Sequence, residues 1–250
     1  VRSFRAGDGM PAQWRYFGLL GGVSTLGFFL LGFFADVERV SFHWPLPGYL
    51  PLLIAVPALL REWPRALRIA TWVLSGAGLL AMLGYNLVLS TPQWRAEQAD
   101  DKFYPANFAG WQELAEAVRE QKARLPQNTV ILADNFKIGA ELGFALDNPD
   151  IAVLDHPLNQ KHGRAPQLRL WGLQSDGSRD APVLLVVSAT DVKFRALLAH
   201  YQDVCRRVGS LPPPHVVNVD HGAQRFLLFA LPAKKQPGAC VAPAIAYLNE

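Results

Sequence analysis

The chain has 250 residues, is half hydrophobic by composition and carries a formal net charge of +3. That excess lies in the first 90 residues, where seven Arg stand against four acidic residues, while the part from Thr91 onward balances 17 Lys and Arg against 17 Asp and Glu. A neutral C-terminal part excludes a nucleic-acid footprint, and without a GxGxxG, HExxH, GxSxG or CxxC pattern the nucleotide-dependent and hydrolase readings have no motif behind them.

Three uncharged stretches predict about three transmembrane helices, at about 16–35, 42–60 and 69–90. The first and third match a hydrocarbon core ~30 Å thick at a rise of ~1.5 Å per residue. The second reaches that length only from Val40, with His43 at the interface. In a three-span bundle the segment bearing Arg2, Arg5 and Arg15 lies on the same side as the loop bearing Arg61, Arg65 and Arg68. Basic loops mark the cytoplasmic side. The loop Asp36 to His43 and everything after Ser90 then face outward. Pro45 and Pro47 suit a helix start, whereas Pro51 and Pro57 each free a carbonyl and bend the second helix. Gly76, Gly78 and Gly84 give the third helix a small-residue surface suited to close helix approach in lipid. The chain starts with Val and shows no charged n-region followed by a cleavage site, so no signal peptide is expected. It reads as a piece of something longer.

Residues 95–106 form a polar connector closed by Pro105, followed by an α/β domain over 107–235 and a tail, or the start of a further segment, over 236–250. Phe108, Trp111, Leu114, Ala115 and Val118 recur at helical spacing up to Pro126. Thr129 to Ala133 predicts a buried strand, Phe136 to Leu146 a helix, and Ile151 to Leu154 a second strand. Pro182 to Ser188 is apolar throughout, as expected when both faces of a sheet are covered. Asp191 to Tyr201 predicts a helix capped by Thr190 or Asp191. His215 to Val219 and Gln224 to Leu231 flank Asp220-His221-Gly222, the pattern of an antiparallel hairpin. The predicted fold is therefore a membrane all-α part followed by a soluble three-layer α/β domain with a mixed sheet. Cys205 and Cys240 can pair in an oxidising compartment, although a spacing of 35 positions does not establish contact.

Chemistry-bearing residues gather in three places. Phe42 to Tyr49 leads into the second span, where Trp44 and Tyr49 fit an interfacial aromatic belt and His43 can contact a lipid phosphate or sugar hydroxyls. Asp155 to Gly172 predicts a long polar loop with Lys161, His162, Arg164, Arg169, Asn159, Gln167 and Trp171. Arg and Lys pair with phosphate oxygens, and a Trp face stacks on sugar rings. Asp134, Asn135 and Lys137 follow the first strand, where either of the first two can cap the next helix and where ligands collect in open α/β sheets. Neither cysteine spacing nor the neighbours of the histidines suggest a metal site.

The His43-Trp44-Pro45 and Pro47-Gly48-Tyr49 strings, with Ala133 to Leu146 (ADNFKIGAELGFAL) and Lys161 to Gly172 (KHGRAPQLRLWG), resemble the C-terminal half of bacterial integral-membrane glycosyltransferases of family 39. These are related to the dolichyl-phosphate-mannose protein mannosyltransferases. The resemblance implies a GT-C fold in the bacterial inner membrane and a periplasmic C-terminal domain. It implies transfer of a sugar from a polyprenyl phosphate donor to an envelope glycan, lipid or protein acceptor, in contact with membrane lipids and without nucleic acid. It implies a catalytic carboxylate upstream of this chain, so that the fragment alone is expected to be inactive. A divalent metal is admitted for the full-length enzyme, and no cofactor is certain. In that setting His43 and Trp44 are expected on the carrier-lipid side, with Lys161, His162, Arg164, Gln167 and Trp171 covering the acceptor cavity. The competing reading is a membrane-anchored periplasmic sensor or binding module without catalysis.

Overall fold

The computed structural model describes residues 12–34, 45–99, 104–234 and 240. The chain divides into two compact units, Val1–Met82 and Leu83–Glu250.

In the first unit, α1 (Ala12–Leu31) and α2 (Leu46–Glu62) pack together through glycines, and α3 (Arg65–Ser90) follows and crosses the unit boundary. A Cβ at Gly48 would stand 2.5 Å from Thr25 Oγ1, and one at Gly21 would stand 2.6 Å from Leu52 Cγ. The two backbones therefore approach more closely than side chains at these positions would allow. Of the three expected spans, only α3 is long and apolar enough, among the described residues, to cross a membrane. The apolar part of α1 runs only from Arg15 to Leu31, and α2 has 17 residues ending in Arg61 and Glu62. None of the residues of α3 is buried, and no atom lies near the sites where Cβ atoms would stand at Gly76, Gly78 and Gly84. Among the described residues no helix packs on that glycine surface.

The second unit is built on a mixed six-stranded sheet. Its elements are α4 (Pro92–Ala96), α5 (Trp111–Ala123), β1 (Val130–Ala133), α6 (Phe136–Ala145), β2 (Ala152–Leu154), α7 (Pro157–Lys161), α8 (Ala165–Leu170), β3 (Gln174–Ser175), β4 (Val183–Ser188), α9 (Phe194–Val208), β5 (His215–Val219) and β6 (Gln224–Leu231). The strand order is β3-β2-β1-β4-β6-β5. The first four strands in that row are parallel, and β6 runs antiparallel to both β4 and β5. All six residues of β4 are buried, and their alternation feeds two separate clusters. Leu184 and Val186 join Ile131, Phe226 and the apolar stripes of α5 and α6, whereas Val183, Leu185 and Val187 join Phe229, Leu231 and Val204 and Val208 of α9. Each fully buried Leu or Ile here contributes about 1.5–3 kcal/mol by leaving water. A disulfide joins Cys205, on α9, to Cys240, with Cα atoms 5.8 Å apart.

Three sequence expectations require correction. The polar connector begins inside α4 (Pro92–Ala96), whose Arg95 is drawn into the domain by Asp220 and Glu113. The long polar loop after β2 instead holds α7 and α8, anchored by buried Asn159 and Leu168. The helix expected from Asp191 starts at Phe194 and runs on to Val208, because the Asp191 carboxylate is taken by Lys137 while Val204, Cys205 and Val208 pack inward.

Candidate functional site

Two sites are built on this frame. The first is a cleft of about 870 Å³ between α6 and α8. Gly139, Ala140 and Gly143 hollow one wall, Gln167, Leu168 and Trp171 form the other, and Ile151 and Val153 lie at the base. The small residues have a packing cause: a Cβ at Gly139 would stand 2.7 Å from Val153 Cγ2, so only glycine lets α6 settle on β2. Both helices follow parallel strands, so their starts share one end of the cleft. There the Arg164 guanidinium lies 6.0 Å from the centre of the Phe136 ring, and the His162 ring packs against that ring at 5.5 Å. Past the C-terminal ends of the two helices the lining includes Asp147, Asp150 and Trp171, which is 64% exposed. The cleft is thus cationic at one end, apolar along its middle, and acidic and aromatic at the other.

The second site lies at the C-terminal ends of β1, β2 and β4. The chain leaves β1 through α6 toward β2 and later returns to β4 on the other side of β1, which makes this the topological switch point. Asn135 caps α6, its Oδ1 accepting from the Lys137 and Ile138 amides at 3.0 and 3.3 Å, while its buried Nδ2 has no partner. Lys137 Nζ pairs with Asp191 Oδ1 at 3.1 Å and lies 5.2 Å from the centre of the Trp111 ring. Asp134, 1% exposed, meets two imidazoles through one oxygen: His200 Nε2 stands 3.0 Å from its Oδ2, and His156 Nε2 stands 4.0 Å from it. The two rings meet edge to face at 5.0 Å.

Burial disfavours the charged form of both rings. At His200 burial is outweighed by the hydrogen bond that its ring donates to Asp134 and by the charge of that carboxylate, and its pKa is raised. At His156 burial prevails over Asp134 and Asp191, and its pKa is lowered. His156 Nδ1 also accepts the Leu158 amide at 3.0 Å as the cap of α7, which leaves the proton of the neutral ring on Nε2, facing Asp134.

The residues singled out in the sequence separate accordingly. Arg164, Gln167 and Trp171 line the cleft, with His162 beside it, while Lys161 is exposed at the end of α7 and does not line it. Asp134, Asn135 and Lys137 belong to the switch point. His43 and Trp44 lie outside the described residues. Asn159, taken for a loop residue, is a strut: its Oδ1 accepts the Phe136 amide at 2.9 Å and its Nδ2 donates to Leu154 O at 2.8 Å. Sequence reasoning missed His156 and His200 at the switch point, and Asp147 and Asp150 in the cleft. The histidines are far from Asp134 along the chain, and no local spacing signals them.

Comparison with known protein families, with curated proteins and with solved structures finds no match for this chain. Function is therefore argued from the two sites.

Proposed function

We propose that this chain is the C-terminal part of a bacterial inner-membrane glycosyltransferase, one that moves a sugar from a polyprenyl phosphate to an envelope acceptor. Its α/β domain lies in the periplasm, and the cleft holds the acceptor. One observation carries this reading. Parts of the two strings that resemble family 39 line one cleft: Phe136, Gly139, Ala140 and Gly143 from the first, and Arg164, Gln167, Leu168 and Trp171 from the second. Its polarity suits a saccharide bearing an anionic group. Arg164 offers a planar donor fork to phosphate, and Trp171 offers a face to a sugar ring beside two carboxylates that accept hydroxyl protons. Three spans in the membrane part and three layers in the domain belong to the same reading. The Cys205–Cys240 disulfide favours the oxidising side of the membrane, and the apolar surface of α3 favours a lipid surround.

The chemistry asked of this part is positioning. Orienting two reactants lowers a barrier by converting a bimolecular step into an effectively unimolecular one, and an anionic acceptor held between Arg164 and Trp171 is fixed in one orientation. Titration of the chain in lipid nanodiscs with a phosphorylated oligosaccharide and its dephosphorylated counterpart tests the reading. Tighter binding of the phosphorylated form is expected. Arg164→Ala should remove that preference at a cost of about 1.5–3 kcal/mol, the usual worth of a charged hydrogen bond, and Trp171→Ala should weaken both ligands. Equal affinity for the two ligands, or variants that bind like the parent, contradicts it.

A further inference from the structure

We infer that Asp134, His156 and His200 form a binding site for a first-row divalent metal ion of the zinc type, distinct from the α6–α8 cleft. The three side chains come from the end of β1, the β2–α7 junction and α9, and each presents one ligand atom, with all three atoms within 4.8 Å of one another. Two imidazole nitrogens and one carboxylate oxygen are the donor set that zinc and its neighbours take, with a further position for water or a ligand. All three side chains are at least nine-tenths buried. This sets the cluster apart from surface carboxylates that meet by chance.

The supports around the cluster are those of a held site. The Asp134 amide donates to Val186 O at 2.9 Å, which fixes the carboxylate at the crossing of β1 and β4. The Asn159 amide donates to His156 O at 2.9 Å, holding the α7 turn that carries the ring. A second observation points to a cation. Asp191 stands close enough for its charge to act on His156, and its buried Oδ2 has no hydrogen-bond partner. An unpartnered, buried carboxylate oxygen is costly without a donor or a cation. Arg207, whose charge also reaches both rings, is held by Asp203 at 3.1 Å.

Metal binding asks one adjustment of the chain. Each imidazole must present an unprotonated Nε2, so the His156 ring proton leaves Nε2 for Nδ1 and the hydrogen bond accepted from the Leu158 amide is given up. A metal-bound His usually donates that second N–H to an oxygen. The Leu158 amide thus becomes a reporter of occupancy.

Cobalt and zinc titrations of the full chain in nanodiscs, after removal of any affinity tag, test the site. One Co²⁺ per chain with visible ligand-field bands, displaced by Zn²⁺, together with a changed Leu158 amide resonance, is the expected result. His200→Ala and Asp134→Asn should each weaken cobalt binding by more than the ~10- to 100-fold that losing an outer-shell partner costs, while Arg164→Ala leaves it unchanged. Absence of ligand-field bands in the parent chain overturns the site, whether or not the variants fold, and so does undiminished binding in His200→Ala. Because Arg164→Ala touches only the cleft, failure here and failure of the acceptor reading are separate results.

Discussion

At the residue scale, the domain depends on a few positions where one atom more or one charge less has no outlet. Gly139 is the clearest. A methyl group there meets Val153 Cγ2 at 2.7 Å and Ala133 Cβ at 3.6 Å, so Gly139→Ala must push α6 off β2 and narrow the cleft. We expect a loss of about 1–3 kcal/mol, the cost of overpacking a filled core, read from the urea midpoint. Asp220 is the second such position. It takes the Arg95 Nε at 2.6 Å and the Tyr104 hydroxyl at 2.7 Å while holding a left-handed backbone at φ +48°, with His221 at +57°. Burial opposes the charge of Arg95, but its hydrogen bonds to Asp220 and Glu113 and their charges prevail and push its pKa up. Burial, then the Asp220 hydrogen bond, raise that of Tyr104. Asp220→Ala leaves Arg95 with Glu113 alone and should cost about 3 kcal/mol, the low end for breaking a buried pair. Asp220→Asn, which still accepts from Tyr104, should cost less in the same urea experiment; equal losses would show that the charge of Asp220, and not the hydrogen bond from Tyr104, holds this turn.

At the scale of elements, the sequence was legible wherever burial was uniform. Val183–Ser188 announced itself as a run of apolar residues because both of its faces are covered, and the β5–β6 hairpin followed from Asp220-His221-Gly222. The cap of α6 at Asn135 was readable from its place after a strand. Asp155 to Gly172 was not readable as structure, because α7 and α8 have only five and six residues and each buries only one or two side chains, too few to set up a helical period. Two-residue β3 left no pattern at all. The site divides in the same way. Arg164, Gln167 and Trp171 stood out because long polar side chains beside a Trp are conspicuous in sequence, whereas His156 and His200 meet Asp134 only through the sheet order. In the N-terminal unit, the glycines that mattered were Gly21 and Gly48, between α1 and α2, and not the glycine-rich surface of α3. Gly48→Val should therefore force α1 and α2 apart and lower the thermal midpoint of the chain in detergent, because its side chain would meet the backbone at Thr25 and Gly21. An unchanged midpoint would show that the two helices are not in close contact.

At the scale of the whole molecule, an apolar helical unit precedes a disulfide-bearing α/β unit with two separate sites. The cleft uses side chains that resemble a family motif, and the switch point uses side chains that only the fold assembles. We propose that the cleft between α6 and α8 receives an anionic saccharide. Photolabelling of the chain in nanodiscs with a diazirine-bearing phosphorylated glycolipid, followed by peptide mapping, tests it most directly. The account predicts adducts on Phe136–Ala145 and on the segment from Arg164 to Trp171, competed away by the unlabelled phosphorylated glycan; adducts confined to α1, α2 and α3, or labelling that the glycan does not compete, would contradict it.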